Sequence, residues 1–247
     1  MKSADPVEEI PFRLEVNGRP VAVWSCTPGV YKALAVGRLV SAGFLVPGDV
    51  VPVPEVDPGP DSVTVRATVP EGAAGRAWAE EAHIRQHGCG LLHYVDCEPA
   101  LLAGDRAPLP DADWSALFAA LYGRGTERSS GVHAAALSDG ERLVHRVEEV
   151  GRHNAVDKAV GGALLNGADL GSLGLVVSSR VSGEIALKAA RAGLAWIATR
   201  SVPTTLALRI TRTAGLPVVA RAVGSDPRLY PPDGGTHVSW RREEEAR

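Results

Sequence analysis

The sequence predicts an α/β protein: a three-layer mixed sheet with helices on both faces, joined to a smaller N-terminal α+β part. Two observations predict the core. Beyond residue 130, short apolar runs alternate with stretches of helical period, the pattern of βαβ units and a partly parallel sheet. A chain of 247 residues is also long enough for one large core with an appendage. A third observation separates the appendage, because the first 70 residues read strand, turn, strand, helix, proline-rich loop, strand.

The elements follow in order. Phe12, Leu14 and Val16 alternate with Arg13 and Glu15, Asn17-Gly18 follows, and Val21 and Val23 come next. This is a hairpin with a two-residue turn. Thr27-Pro28 is expected to open a helix as cap and first residue. Tyr31, Leu34, Ala35 and Leu39 mark its buried face, and Gly43 ends it. Residues 46 to 61 hold five prolines and read as a loop. Val63, Val65, Ala67 and Val69 alternate with polar residues as a strand. These elements make up an N-terminal part, 1–70. Residues 71–110 are expected to be part helix and part mobile loop, carrying two of the cysteines. Asp113 caps a short helix with Trp114, Leu117, Phe118 and Leu121 inward.

The core is assigned to residues 111–240. Strands at 132–137 and 142–147 are joined by Asp139-Gly140. A helix opens at Gly151. A strand at 173–178, a helix at 182–192, a strand at 194–199, a helix from Pro203 to 214 and a strand at 217–222 complete the pattern. Residues 241–247 read as a disordered tail.

Composition narrows the function. The net charge of −3 gives no general basic field, which argues against broad nucleic-acid binding but leaves room for a local basic pocket. No run approaches the roughly 20 apolar residues of a membrane span. Met1 to Ile10 is polar and acidic, without an apolar signal core, so the expected location is the cytoplasm. Cys26, Cys89 and Cys97 do not make a disulfide scaffold, and at least one is free. Neither a phosphate-binding loop nor a dinucleotide fingerprint is present.

The densest chemistry lies at residues 148–162, Glu-Glu-Val-Gly-Arg-His-Asn-Ala-Val-Asp-Lys-Ala-Val-Gly-Gly. Val156, Val160, Ala163 and Leu164 recur at helical spacing. Arg152, His153 and Asn154 therefore fall in the first turn, where unpaired N–H groups and the helix dipole suit an anion, phosphate most readily. His153 and Asp157 are four apart, share a face and can hydrogen-bond. The plainer alternative is a solvated helix start. Two further polar loops, Ser178 to Ser182 and Thr199 to Thr205, follow strands and carry Arg180 and Arg200 among hydroxyls. Simple capping explains either one alone. Three arginine-bearing helix entries on one sheet edge would form a pocket for a phosphorylated ligand.

Cys89 sits between Gly88 and Gly90, near Arg85, His87 and His93, which favours a lightly shielded thiol with a lowered pKa. Such a thiolate can accept and hand over sulfur from a persulfide. A buried, inert cysteine is the alternative. Cys89, His93 and Cys97 are also spaced for a zinc on one helix face, but structural zinc usually takes four ligands and the glycines oppose a helix, so no metal site is assigned.

Several of these residues resemble the formate dehydrogenase accessory sulfurtransferases, the FdhD/NarQ family. The resemblance covers Val16-Asn17-Gly18, Thr27-Pro28, Gly131 to Ala136, Glu148 to Lys158, Ser179 to Glu184, Lys188 and Pro203 to Ala207. It implies a sulfurtransferase-type carrier with a cytidine-deaminase-like core and a homodimer. It would take persulfide sulfur from a cysteine desulfurase and pass it to the molybdenum bis-guanine-dinucleotide cofactor of formate dehydrogenase, with a guanine nucleotide as a mimic. Cys89 would carry the sulfur. Arg152, His153, Asn154, Asp157, Lys158, Arg180, Arg200, Arg221, Gly224 and Ser225 would bind the cofactor. Deaminase chemistry does not transfer, because His133 is followed by Ala134-Ala135 and no Pro-Cys-x-x-Cys is present. The chain departs from the family twice. Gly88-Cys89-Gly90 stands where Cys-Gly-x-Cys-Gly is usual, and Ala220-Arg221-Ala222-Val223 stands where Gly-Phe-x-Arg is usual. These departures motivate two alternatives: a divergent paralogue delivering sulfur to another small molecule, or a non-catalytic cofactor-binding chaperone.

Overall fold

The computed structural model describes residues 6–87, 106–123, 131–224, 226–233 and 238–239, with backbone alone over 80–87 and 238–239. Cys89, His93, Cys97, Ser225 and the tail lie outside the described residues, as do the side chains of Arg85 and His87.

The N-terminal hairpin forms as its turn residues dictate. β1 (Ile10–Val16) and β2 (Arg19–Cys26) pair antiparallel. Asn17 and Gly18 take φ of 47° and 77°, the two positive values that a twist-matched two-residue turn needs. β3 (Glu55–Pro58) and β4 (Val63–Ala67) complete a four-stranded sheet in the order β2-β1-β4-β3. β3 lies inside the stretch expected to be loop. It is a short, exposed edge strand, where prolines are tolerated. Phe12, Leu14, Val16, Val63 and Val65 face a core covered by α1 (Tyr31–Ser41) and α2 (Glu71–His87). Ala73, Ala74 and Ala77 place the start of α2 in that core. The first part of the 71–110 segment thus packs with the N-terminal sheet.

The expected cap at Thr27 is not used. α1 starts at Tyr31 behind Val30, and the Thr27 N–H and hydroxyl donate to Glu149 Oε1 at 2.8 and 3.1 Å. A buried carboxylate has taken the group that would have capped the helix. Gly43 does mark the helix exit, with φ of 82°.

The second sheet has seven strands in the order β11-β10-β9-β8-β7-β5-β6. β5 (His133–Ser138) lies antiparallel to both β6 (Leu143–Glu149) and β7 (Gly174–Val177). β7, β8 (Ile197–Thr199) and β9 (Val218–Ala220) are parallel. Two strands went unforeseen: β10 (Arg228–Tyr230) and β11 (Val238–Ser239) add antiparallel at one edge. They are too short to show a period.

One face of this sheet carries α4 (Arg152–Leu165), α5 (Gly183–Arg191) and α6 (Thr205–Thr213), packed on Leu137, Leu175, Val177 and Ile197. The other face carries α3 (Trp114–Tyr122), whose Trp114, Leu117, Phe118 and Leu121 meet Ala136, Val176, Trp196 and Val219. Asp113 caps α3 by accepting from the Ala116 N–H at 3.0 Å. The core therefore has three layers. The N-terminal unit joins it where α1 crosses α4. Gly37 and Gly161 allow that crossing: a Cβ on Gly161 would stand 1.9 Å from the Ala33 carbonyl oxygen, and one on Gly37 would stand 1.7 Å from that of Asp157.

Candidate functional site

Strand direction gathers the polar loops. β6 is antiparallel to β5, which is antiparallel to β7, so β6, β7, β8 and β9 all point the same way. Their C-terminal ends share one edge of the sheet, where open α/β sheets bind ligands. Each end delivers an exposed arginine within three residues: Arg152 after β6, Arg180 after β7, Arg200 after β8 and Arg221 after β9. The outer pair sit on β9 and β6, four inter-strand spacings apart, so the edge spans about 19 Å.

The backbone around this row is firmly held. The Thr199 hydroxyl, fully buried, donates to the Ser179 carbonyl at 2.6 Å and accepts from the Ser201 N–H at 2.9 Å. The Ser178 hydroxyl accepts from the Ala134 N–H at 2.9 Å. Arg221 has φ of 51°, a left-handed conformation uncommon for a side chain of its size. Its N–H donates to the Ser201 carbonyl at 2.9 Å, and the Ala222 N–H donates to that of Thr199 at 3.1 Å. Strain of this kind persists where the surroundings over-determine it, and it concentrates at functional sites. Gly224 is exposed three residues further on. Arg200 lies over the Tyr122 ring at 5.4 Å and donates to its hydroxyl at 3.2 Å, so α3 reaches this edge from the opposite face.

The helix entries differ. Ser182 caps α5 through the Ile185 N–H, and Thr204 caps α6 through the Ala207 N–H. Those two hydroxyls have the ordinary capping role. α4 begins at Gly151 with no side-chain cap, and Arg152 stands in its first turn.

The rest of the 148–162 cluster turns inward. His153 Nε2 lies 3.1 Å from Glu184 Oε2, without the geometry of a hydrogen bond. Burial, then Lys188 and Arg152, push the His153 pKa down to about 4. The Asn154 amide donates to the Ser25 carbonyl at 2.8 Å. His153, Asn154, Glu184, Arg38 and Trp24 line a cavity of about 280 Å³ between β2 and the helices. Asp157 and Lys158 are 1% and 0% exposed. Asp157 does not bond His153. Lys188 donates to both of its carboxylate oxygens, at 2.8 and 2.9 Å, because a buried carboxylate needs a full counter-charge. Lys158 pairs with Glu149 and donates to the Thr27 carbonyl at 2.7 Å.

Sequence reasoning left His133 and Tyr122 out of the site. His133 opens β5 on the same edge, and burial followed by Arg152 lowers its pKa. Its position at a strand start between two polar loops was the available signal. Cys26 is buried with its thiol pushed up to about 11, chiefly by burial, and so stays protonated at neutral pH. Among the described residues no group of three His, Cys, Asp or Glu side chains is placed to hold a metal.

The FdhD/NarQ family model matches residues 7–234. The chain belongs to the FdhD/NarQ family. It is 34% identical over 230 residues to the sulfur carrier protein FdhD of Burkholderia mallei, covering 86% of this chain and 83% of the relative. It is 36% identical over 253 residues to the protein of that name from Streptomyces avermitilis, covering 91% and 86%. The Bacillus subtilis FdhD is 30% identical over 217 residues, covering 86% and 83%. The fold matches a solved structure assigned as a formate dehydrogenase accessory protein, from Desulfotalea psychrophila. That match has a TM-score of 0.60 at 22% identity and covers 96% of this chain and 88% of the other. FdhD/NarQ membership and the arginine row meet in the same residues, since Arg152 and Arg180 lie within the motifs that carried the resemblance. No helix among the described residues is long and apolar enough to cross a membrane.

Proposed function

We propose that this protein is a sulfur carrier for formate dehydrogenase, loading sulfur on Cys89 and delivering it to a molybdenum bis-guanine-dinucleotide cofactor bound along the strand-end edge. The observation that carries the reading is the row of four exposed arginines on four parallel strand ends. A row about 19 Å long fits a ligand with several separated phosphates better than a single phosphate. The names of the FdhD relatives support sulfur carriage.

In the loading step, the Cys89 thiolate attacks the outer sulfur of a cysteine desulfurase persulfide. A new S–S bond forms on Cys89, the old one breaks, and the desulfurase cysteine leaves as a thiolate. Delivery at the sulfide level would break the S–S bond on Cys89, with two electrons drawn from the reduced molybdenum of the bound client, passing the sulfur to that client and returning Cys89 as a thiolate. Arg152, Arg180, Arg200 and Arg221 hold phosphates, with Gly224 exposed beyond Arg221 and Ser225 assigned to the same ligand from the family resemblance. His153 and Asn154 line the adjoining cavity. Asp157 and Lys158, as buried groups, support the site from behind. The family resemblance further supports a homodimer.

The test is a mass measurement after incubation with a cysteine desulfurase and free cysteine. One added sulfur atom is expected on Cys89 and none on the Cys89→Ala variant. An unmodified protein, or full sulfur transfer by the variant, overturns the proposal. Unmodified protein that still binds guanosine diphosphate would instead be a cofactor-binding chaperone.

A further inference from the structure

Lys158 lies in the motif expected to bind ligand, yet it is fully buried. We propose that Glu149, Lys158 and Thr27 form a positioning clamp that fixes the turn delivering Arg152 to the strand-end edge. The inference rests on the reading of that edge as a phosphate site.

The clamp is a closed ring of contacts around one turn. Glu149 is the last residue of β6, Val150 and Gly151 make the turn, and Arg152 opens α4. Glu149 Oε1 accepts from the Thr27 N–H and hydroxyl and faces the Gly151 N–H at 3.5 Å. The Thr27 hydroxyl oxygen accepts from the Val150 N–H at 3.0 Å. Lys158 closes the ring through Glu149 and the Thr27 carbonyl. Each turn residue before Arg152 is thus held by a side chain that the ring fixes.

A buried ion pair is a poor way to gain stability, because well-packed apolar residues usually serve as well. Its directional bonds give it another use, and here all of them converge on one turn and on the β2–α1 connection. The neighbouring pair supplies a contrast within the same helix. Asp157 bonds Lys188 and Ser41 and ties α4 to α5 and α1, through bonds that do not include the turn residues. Both pairs are buried, but only one grips the Arg152 turn.

His133 reports where Arg152 is, because Arg152 is one of the two causes that lower its pKa. The experiment is an NMR titration of His133 in the full-length protein. Arg152→Ala sets the size of the Arg152 contribution. The double variant Glu149→Gln with Lys158→Met removes the pair whole, so net charge beside His133, which faces Glu149 across the β5–β6 ladder, is unchanged. Asp157→Asn with Lys188→Met is the control for loss of a buried pair.

The expected result is a His133 pKa raised toward the Arg152→Ala value in the first double variant and not in the control. The same variant should weaken guanosine diphosphate binding by about tenfold or more. A wild-type His133 titration in the first double variant overturns the clamp and leaves Lys158 a structural residue. Thr27→Val gives a milder test should the double variant fail to fold. It should move His133 in the same direction, and no movement again overturns the clamp. Unchanged nucleotide binding by Arg152→Ala would overturn the phosphate reading of the edge, while the His133 titration still decides the clamp.

Discussion

His153 shows how far a residue's role depends on what surrounds it. At a helix start, beside Arg152, it reads as an anion ligand. In the fold it is partly buried, faces Glu184, and is held neutral by burial and by the charges of Lys188 and Arg152, against the weaker pull of Asp157. With a folded pKa of about 4 and an unfolded value near 6.5, the unfolded chain binds the extra proton first. Unfolding free energy therefore rises with pH across that window and falls as the solution is acidified from 6.5 toward 4. Between pH 7 and pH 5 the loss from this one group is about 2 kcal/mol at most. Urea denaturation at the two pH values measures it. His153→Gln should remove that part of the acid sensitivity, and an equal loss in wild type and variant would show that His153 is not its source. Asp157 illustrates the same limit of sequence. Its spacing to His153 was legible, but its true partner, Lys188, is 31 residues away and became visible only through the packing of α5 on α4.

At the scale of elements, local chemistry was legible where it was decided locally. Asn17-Gly18 fixed the hairpin and Asp113 fixed the start of α3, each through backbone groups within a few residues. It was not legible where a distant group intervened. Glu149, 122 residues from Thr27, took that cap away. β3 was missed because an exposed edge strand carries no alternation to read, and β10 because three residues are too few to show one. The α1–α4 crossing was equally hidden, since neither Gly37 nor Gly161 announces its neighbour. This crossing makes a sharp prediction. Gly161→Ala places a methyl 1.9 Å from the Ala33 carbonyl oxygen, a backbone atom that cannot move without moving α1. The expected loss is about 3 kcal/mol or more, at the upper end for overpacking. Gly75→Ala in α2, where nothing lies within 4 Å, should instead stabilise by about 0.5–1 kcal/mol. Denaturant midpoints of the two variants decide it, and similar small effects would mean that the two helices do not touch as described.

The same crossing governs the whole molecule. The N-terminal sheet has its own apolar cluster, and the three-layer core has two more, so the chain could have unfolded in two steps. Three things argue against that. α1 meets α4 backbone to backbone at two glycines. Ser41 of α1 bonds both Asp157 and Lys188, and Thr27 ahead of it bonds both Glu149 and Lys158, so separating the units breaks hydrogen bonds to four charged groups that are almost wholly buried. Each such hydrogen bond to a charged group is worth about 1.5–3 kcal/mol. Removing the N-terminal unit therefore destabilises the core that supports the arginine row, and the two parts should melt as one. Tryptophans sit in both: Trp24 and Trp78 pack on the N-terminal cluster, and Trp114 and Trp196 lie in the outer core layer. Variants that keep only one pair, the others replaced by phenylalanine, should give coincident urea transitions by fluorescence. An N-terminal transition well below that of the core would show that the buried ion pairs and the glycine crossing do not couple the two units.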